Sequence, residues 1–155
     1  MSESSSPTTP RELRATVESF AGRRILIWGD FVADRFLHGS STRVSREAPA
    51  LVLRYEGEDF RPGGAGNAAL NAAALGATVV ALGCVGDDAA GEALVGALRN
   101  AGIDTDQIAR RTDGATPVKT RIMAGGHHTV HQQILRIDAD SPWPAAGGAD
   151  AGAAI

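Results

Sequence analysis

The sequence predicts an α/β domain with a mostly parallel β-sheet flanked by helices. Short apolar runs typical of buried strands alternate with segments whose apolar residues recur at helical spacing. Glycines stand at the ends of the helical segments, where they favour helix termination. Of the 155 residues 43% are hydrophobic and only 5% aromatic, so we expect a core of Ala, Val, Leu and Ile. The length is that of one domain or of a piece of a larger one.

Each element is predicted from its local pattern, in chain order. The first segment is rich in Ser, Thr and Pro and is followed by an amphipathic helix that ends before Gly22. A compact apolar run closed by Gly29 and Asp30 is typical of a buried parallel strand. An alanine-rich helix ends before Gly76, and a glycine turn joins the last two strands. We predict a disordered leader at 1–10, helices at 11–20, 67–75 and 89–101, strands at 24–30, 50–55, 78–85, 117–124 and 130–138, and a low-complexity tail at 141–155.

Composition excludes several classes of protein. The 15 Lys and Arg residues against 18 Asp and Glu give a formal net charge of -3, which argues against a strongly basic nucleic-acid binder. The single cysteine, Cys84, excludes an intramolecular disulfide framework and reads as a small buried residue of a strand. Neither a signal peptide nor a membrane span is apparent. We therefore expect a cytoplasmic protein without nucleic-acid or membrane partners.

A glycine loop precedes the second predicted helix. Gly63, Gly64 and Gly66 remove side chains there, so backbone N–H groups can approach a ligand closely. Asn67 would cap the helix or bind a ligand hydroxyl. Gly64, Gly66 and Ala69 also satisfy the spacing of a dinucleotide-binding fingerprint, but that motif must open from a strand, and the preceding segment 56–62 is too polar to be one. A tight turn without a ligand is the third alternative.

Several charged side chains are candidates for a site. Lys119 and Arg121 lie two residues apart on a predicted strand and so share a face, which suits a phosphate, although a solvated strand face is the plain alternative. Three histidines around the last glycine turn suggest a metal, but no fourth ligand is evident, and we expect none to bind. Those histidines are His127, His128 and His131.

Six motifs, in order along residues 24–138, resemble the PfkB (ribokinase-like) family of sugar kinases. Within that family they are most similar to the heptose 7-phosphate kinases, which include the kinase half of the bifunctional ADP-heptose synthesis enzymes. The glycine motif alone is moderately specific, whereas the ordered set is strong evidence. The motifs are Gly29–Arg35, Ser45–Pro49, Arg61–Asn67, Val85–Asp88, Lys119–Arg121 and Gln132–Asp138.

The resemblance implies a ribokinase-like fold in which a small β-lid, here about 35–60, closes over the sugar. Residues 11–140 would be the N-terminal part of the kinase domain. Asp34 would hold sugar hydroxyls, since an ionised carboxylate accepts from two hydroxyls at once. Cations would face the phosphate of the sugar, with Arg43 as a further candidate. The substrate-binding residues expected on this basis are Asp34, Gly63, Gly64, Asn67, Lys119, Arg121 and Arg136.

The resemblance also implies a reaction. The complete family enzyme transfers the γ-phosphoryl group of ATP to the anomeric hydroxyl, with Mg²⁺ bound and a downstream aspartate as base. The sequence shows no match to the second family signature, which carries that aspartate, or to the ATP pocket. We therefore expect a fold incomplete on its C-terminal side and a chain inactive alone that binds neither ATP nor Mg²⁺. Because the lid often carries dimer contacts in this family, the resemblance also implies a homodimer formed through the lid. The alternatives are another PfkB kinase, of the ribokinase or fructokinase type, and a non-catalytic dinucleotide-binding or interaction module.

Overall fold

The computed structural model describes residues 9–125 and 131–140. The predicted tail and most of the predicted leader lie outside these residues, as do His127 and His128. No helix within the described ranges has both the length and the apolar character needed to cross a bilayer. The helices are α1 (Pro10–Glu18), α2 (Ala65–Ala74) and α3 (Ala89–Asn100), and the strands are β1 (Arg24–Trp28), β2 (Phe31–Val44), β3 (Leu51–Gly64), β4 (Thr78–Gly86), β5 (Asp104–Arg111), β6 (Val118–Gly125) and β7 (Gln132–Ala139).

A three-stranded parallel sheet, in the order β1-β4-β5, confirms the predicted α/β class. Helices α2 and α3 pack against one face, and Val79 and Ala81 of β4 belong to the same hydrophobic core as Leu94 and Leu98 of α3. Successive side chains of a strand point to opposite faces. The other face therefore presents side chains such as Trp28, which is 74% exposed.

A second, four-stranded sheet has the order β3-β2-β6-β7, and we call it the lid sheet. Strands β2 and β3, of 14 residues each, form a long antiparallel hairpin. Strand β6 joins β2 in parallel, and β7 pairs with β6 in the antiparallel sense. The lid sheet thus mixes both kinds of pairing, whereas the sheet on which α2 and α3 pack is parallel, in agreement with the prediction.

The two sheets are joined at the beginning of β2. Phe31 and Ala33 are each 1% exposed and belong to the hydrophobic core, although the strand they begin continues into the lid sheet. The Phe31 ring packs directly on Gly83 of β4, where any side chain would collide with it. The backbone N–H of Ala33 donates to the carbonyl oxygen of Pro117, just before β6, at 2.9 Å. The base of the lid sheet is therefore part of the core.

The sequence prediction misses β2 and β5 and ends β3 too early. The segment 56–62 lies within β3 although it is polar, because cross-strand pairs such as Arg35–Glu58 and His38–Asp59 stabilise it in place of apolar burial. Strand β5 buries only a few side chains, Thr105 among them, so its apolar pattern is weak. Predicted strand patterns depend on burial, and these strands have little of it.

The expected gap between a strand and the glycine loop is also wrong. Strand β3 runs to Gly64, and α2 begins at Ala65. A dinucleotide fingerprint nevertheless requires a parallel β-α-β unit within one sheet. Here β3 belongs to the lid sheet and β4, which follows α2, belongs to the parallel sheet. The topology therefore argues against the dinucleotide alternative.

Substitution of Gly83 by alanine is expected to destabilise the fold by about 1–3 kcal/mol. A Cβ there would lie 2.6 Å from Cδ2 of Phe31 and 2.8 Å from the carbonyl oxygen of Gly29. The matched control is Gly96→Ala in α3, where a Cβ meets nothing within 4 Å and should stabilise by about 1 kcal/mol. Urea unfolding measures both changes, and a harmless Gly83→Ala would contradict the packing of Phe31 on this glycine.

Candidate functional site

One face of the lid sheet collects most of its charged side chains. Residues that are opposite one another on neighbouring strands project from the same face, and the register aligns Asp34 with Arg61 on β3 and with Lys119 on β6. The same face takes Phe36 opposite Arg121. We call it the charged face. Its members are Asp34, Phe36, His38, Asp59, Arg61, Lys119, Arg121, Arg136 and Asp138.

Asp34 lies at the end of the charged face nearest the core and contacts two other predicted site residues. Nη2 of Arg121 donates to Oδ1 of Asp34 at 2.9 Å, and the side chains are 25% and 22% exposed. The other carboxylate oxygen lies against Gly63, where a Cβ would come within 2.6 Å of it. The absence of a side chain at Gly63 is thus what allows the Asp34 carboxylate to occupy this position.

The glycine loop continues directly into α2. Gly64 has φ of +54°, a left-handed conformation that favours glycine, and a Cβ there would lie 2.5 Å from the carbonyl oxygen of Asp30. The N–H of Ala65 donates to that same oxygen at 3.0 Å. Asn67 follows in the first turn of α2 with its side chain exposed, and the helix has no side-chain cap. The capping role considered for Asn67 is therefore not seen.

A second cluster on the charged face surrounds Phe36. The Cζ atom of Arg61 lies 4.7 Å from the ring centroid and that of Arg121 lies 5.8 Å from it. Asp59 is 2.9 Å from Nε of Arg61 and 2.7 Å from Nε2 of His38. These hydrogen bonds, that of His38 above all, hold the pKa of Asp59 below its ordinary value.

The remaining predicted cations differ in their surroundings. Lys119 is half-buried and makes no ion pair with any residue of the described ranges. It lines a cavity of about 290 Å³ with Asp30, Cys84 and Asp140 among its neighbours. Arg136 is paired with Asp138 on its own strand at 2.9 Å. Arg43 is exposed, near the far end of β2.

The structure also describes the environment of two other residues considered in the sequence analysis, Cys84 and His131. Cys84 is half-buried in β4, and burial raises the pKa of its thiol, which disfavours the reactive thiolate. His131, the one described member of the histidine group, stacks on His38 with ring centroids 6.3 Å apart. The sequence analysis did not single out His38, Phe36, Asp59 or Arg61. The residues along β2 and β3 show no consistent alternation of polar and apolar types, so only the strand pairing shows that these four side chains share one face.

Comparison with known proteins identifies the family. Residues 25–133 match the model of the pfkB family carbohydrate kinases. The chain belongs to the PfkB family of carbohydrate kinases. Membership of this family and the ribokinase-like α/β fold, both expected from the sequence, are thereby confirmed.

Curated relatives of this PfkB chain include bifunctional HldE proteins. The HldE protein of Magnetococcus marinus is 42% identical over 130 residues, which is 84% of this chain and 26% of the relative. That of Pseudomonas aeruginosa strain LESB58 is 40% identical over 131 residues, with the same coverage. The chain therefore spans about a quarter of the length of these relatives.

Solved structures agree on the fold. A carbohydrate kinase from Agrobacterium tumefaciens matches with a TM-score of 0.55 and 26% identity, over 76% of this chain and 35% of that one. Arabidopsis thaliana ribokinase complexed with ribose and ATP matches with a TM-score of 0.56 and 17% identity, over 78% of this chain and 36% of that one. The second likeness concerns the fold alone.

Substitution of Gly63 by alanine should displace the Asp34 carboxylate and lower the free energy of unfolding by about 1–3 kcal/mol, because the methyl group needs the space that Oδ2 occupies. The double variant with Asp34→Ala provides the control. In the Asp34→Ala background, Gly63→Ala should lower the free energy of unfolding clearly less, because the carboxylate that the methyl group would contact is absent. Urea unfolding of the four proteins measures the coupling, and an equal cost in both backgrounds would contradict this contact.

Proposed function

We propose that this chain is the sugar-binding portion of an ATP-dependent PfkB kinase whose substrate is a phosphorylated sugar of the heptose 7-phosphate type. The observation that carries the proposal is the Asp34 carboxylate, placed on Gly63 and surrounded by cationic side chains. The similarity to HldE proteins supports the same substrate class. Membership of the PfkB family supports the reaction.

Asp34 would bind the hydroxyl groups of the sugar. Arg121 engages one of its oxygens, and the two carboxylate oxygens together offer about four lone-pair directions, so acceptors remain for hydroxyl donors. Gly63 and Gly64 would let the sugar ring approach the backbone, and the exposed amide of Asn67 would supply a further donor and acceptor.

The cations of the charged face would bind the phosphate of the substrate. Lys119 is the best placed of them because it is half-buried and has no carboxylate partner in the described parts of the chain. Arg121 and Arg136 already have one each, at 2.9 Å. A phosphate dianion would add charge-assisted hydrogen bonds to this set without a carboxylate having to leave.

In the complete enzyme, ATP would supply the phosphoryl group and Mg²⁺ would offset the charge that develops during transfer. We assign no residue of this chain to either. This chain would bind the sugar phosphate and orient it, and we propose that it does so without turnover. A cytoplasmic location and the lack of nucleic-acid or membrane partners stay predictions.

Isothermal titration with a heptose 7-phosphate and with the same heptose lacking the phosphate tests the substrate class. Asp34→Asn should weaken the binding of both by about tenfold or more, because the variant loses a charged acceptor. Lys119→Met should weaken the binding of the phosphorylated sugar alone. Release of ADP from ATP and Mg²⁺ should not depend on added sugar.

The control for these variants is Gln107→Glu on β5, which changes an exposed side chain away from the charged face. Equal affinities of the unmodified chain for the two sugars would favour a kinase of unphosphorylated sugars instead. Sugar-dependent ADP release that Asp34→Asn abolishes would show that this chain is an active kinase by itself.

We also propose that two copies of the chain associate through the opposite face of the lid sheet. This face carries an apolar patch: Leu37 and Ile122 are aligned with Leu135 across three strands, and Ile137 lies on the same side. The Arg35–Glu58 ion pair lies on the same face beside this patch, towards β3. Leu135 and Ile137 are each 53% exposed. An exposed apolar patch of this kind favours burial against the same patch of a second copy.

Light scattering after size exclusion tests the dimer. The unmodified chain should elute as a dimer, and Leu135→Glu should shift it to a monomer because a carboxylate would be buried without a partner. Gln107→Glu, which adds the same charge on an exposed site of the parallel sheet, should leave the dimer intact. A monomeric unmodified chain, or a Leu135→Glu variant that remains dimeric, would contradict the proposed interface.

A further inference from the structure

A polar junction outside the charged face connects the parallel sheet to the lid sheet. Asp88 is the N-cap of α3: its Oδ1 accepts from the backbone N–H of Gly91 at 2.8 Å. The same carboxylate accepts two hydrogen bonds from Thr116, both at 2.8 Å: the hydroxyl donates to Oδ1 and the backbone N–H donates to Oδ2. The Thr116 hydroxyl in turn accepts from the N–H of Gly86 at 2.9 Å.

The junction is closely packed and its groups are satisfied. Thr116 is only 2% exposed. A Cβ on Gly86 would lie 2.5 Å from the backbone nitrogen of Thr116. Burial by itself would raise the pKa of Asp88, but the hydrogen bonds from Gly91 and Thr116 outweigh it and hold the pKa below its ordinary value. The ionised carboxylate is thus the form that the junction stabilises at neutral pH.

The position of Thr116 gives this junction a role beyond capping a helix. The next residue, Pro117, accepts the backbone hydrogen bond of Ala33, and β6 begins at Val118, which is aligned with Ala33. One residue further, Lys119 is aligned with Asp34. The hydrogen bonds that hold Thr116 in place therefore also hold the start of β6, and with it the positions of the cations aligned with Asp34 and Phe36.

We propose that Asp88 and Thr116 are positioning residues that lock the start of β6 to the amino end of α3 and thereby set where Lys119 and Arg121 stand relative to Asp34. They would act on the phosphate of the substrate without touching it. This consequence for substrate rests on the function proposed above, whereas the locking of β6 does not.

The variants separate this role from ordinary helix capping. Thr116→Val keeps the shape of the side chain and removes the hydroxyl, and Thr116→Ser restores it. Asp88→Ser keeps a good N-cap for α3 but loses the second oxygen that holds Thr116. The matched control is Asp87→Asn, which changes the neighbouring carboxylate, 59% exposed and directed at Arg110 rather than at Thr116.

Amide hydrogen exchange in the full chain measures how firmly the start of β6 is held against β2. Thr116→Val and Asp88→Ser should raise the exchange rate of the Ala33 amide, which donates to Pro117, by about tenfold or more. The Thr78 amide, which donates to Arg23 at the other end of the parallel sheet, should be unchanged. Thr116→Ser and Asp87→Asn should behave as the unmodified chain. Unchanged exchange at Ala33, or an equal rise at both amides, would overturn the proposal.

Titration with a heptose 7-phosphate and with the unphosphorylated heptose reads the consequence for substrate. Thr116→Val should lower the affinity for the phosphorylated sugar by about tenfold, since small misplacements of binding groups have effects of at least this size. The affinity for the unphosphorylated sugar should be little changed. In a Lys119→Met background the effect of Thr116→Val should become clearly smaller, because the contact between Lys119 and the phosphate, which both changes affect, is already lost.

The outcomes distinguish the two proposals. Equal losses of affinity for both sugars, or full additivity with Lys119→Met, would overturn the role of Thr116 in binding the phosphate. If the unmodified chain binds neither sugar, the proposed function fails, and the exchange rate of the Ala33 amide still decides whether Asp88 and Thr116 fix β6.

Discussion

The lid sheet depends on the burial of its first residues in the core of the other sheet. Phe31, packed on Gly83, stands three residues before Asp34, so a fully buried ring and a site carboxylate share one rigid stretch of strand. Because β6 is paired with β2, Lys119 and Arg121 of β6 are held in a fixed position relative to this stretch. A two-stranded hairpin alone would be marginal in water, and it is the anchored base and the additional strands that hold the charged face in place.

The sequence is informative where structure is determined locally. Strands β1 and β4 and the two helices packed on the parallel sheet have clear apolar patterns, whereas β5 does not. The glycine motif with Asp34 indicates the family and the candidate site. The lid strands are different because neither face is fully buried, so their residues show no consistent alternation of apolar and polar types. The contact between Asp34 and Arg121 joins residues 87 positions apart, which no spacing along the chain reveals.

Most charges of the charged face compensate one another before any ligand is present. Asp34 is paired with Arg121, Asp59 with Arg61 and His38, and Asp138 with Arg136. Such pairs contribute little stability where they are exposed to water. Their effect is rather on geometry, since each arginine is held in one direction by a carboxylate and, in two cases, by the ring of Phe36. Because these arginine side chains are already ordered, they lose little conformational entropy when an anion binds.

Successive side chains of the lid strands point to opposite faces of the sheet, and this restricts how the length of the strands can change during evolution. Because neighbouring residues point to opposite sides, insertion or deletion of a single residue within β2 or β6 would exchange the charged and apolar faces beyond that point. The irregularities between His38 and Gly39 and between Ser41 and Arg43 are places where the register already shifts. Length changes in descendants of this chain should therefore accumulate at those bulges and at the hairpin end, or occur in pairs, while the stretch from Phe31 to Leu37 keeps its length.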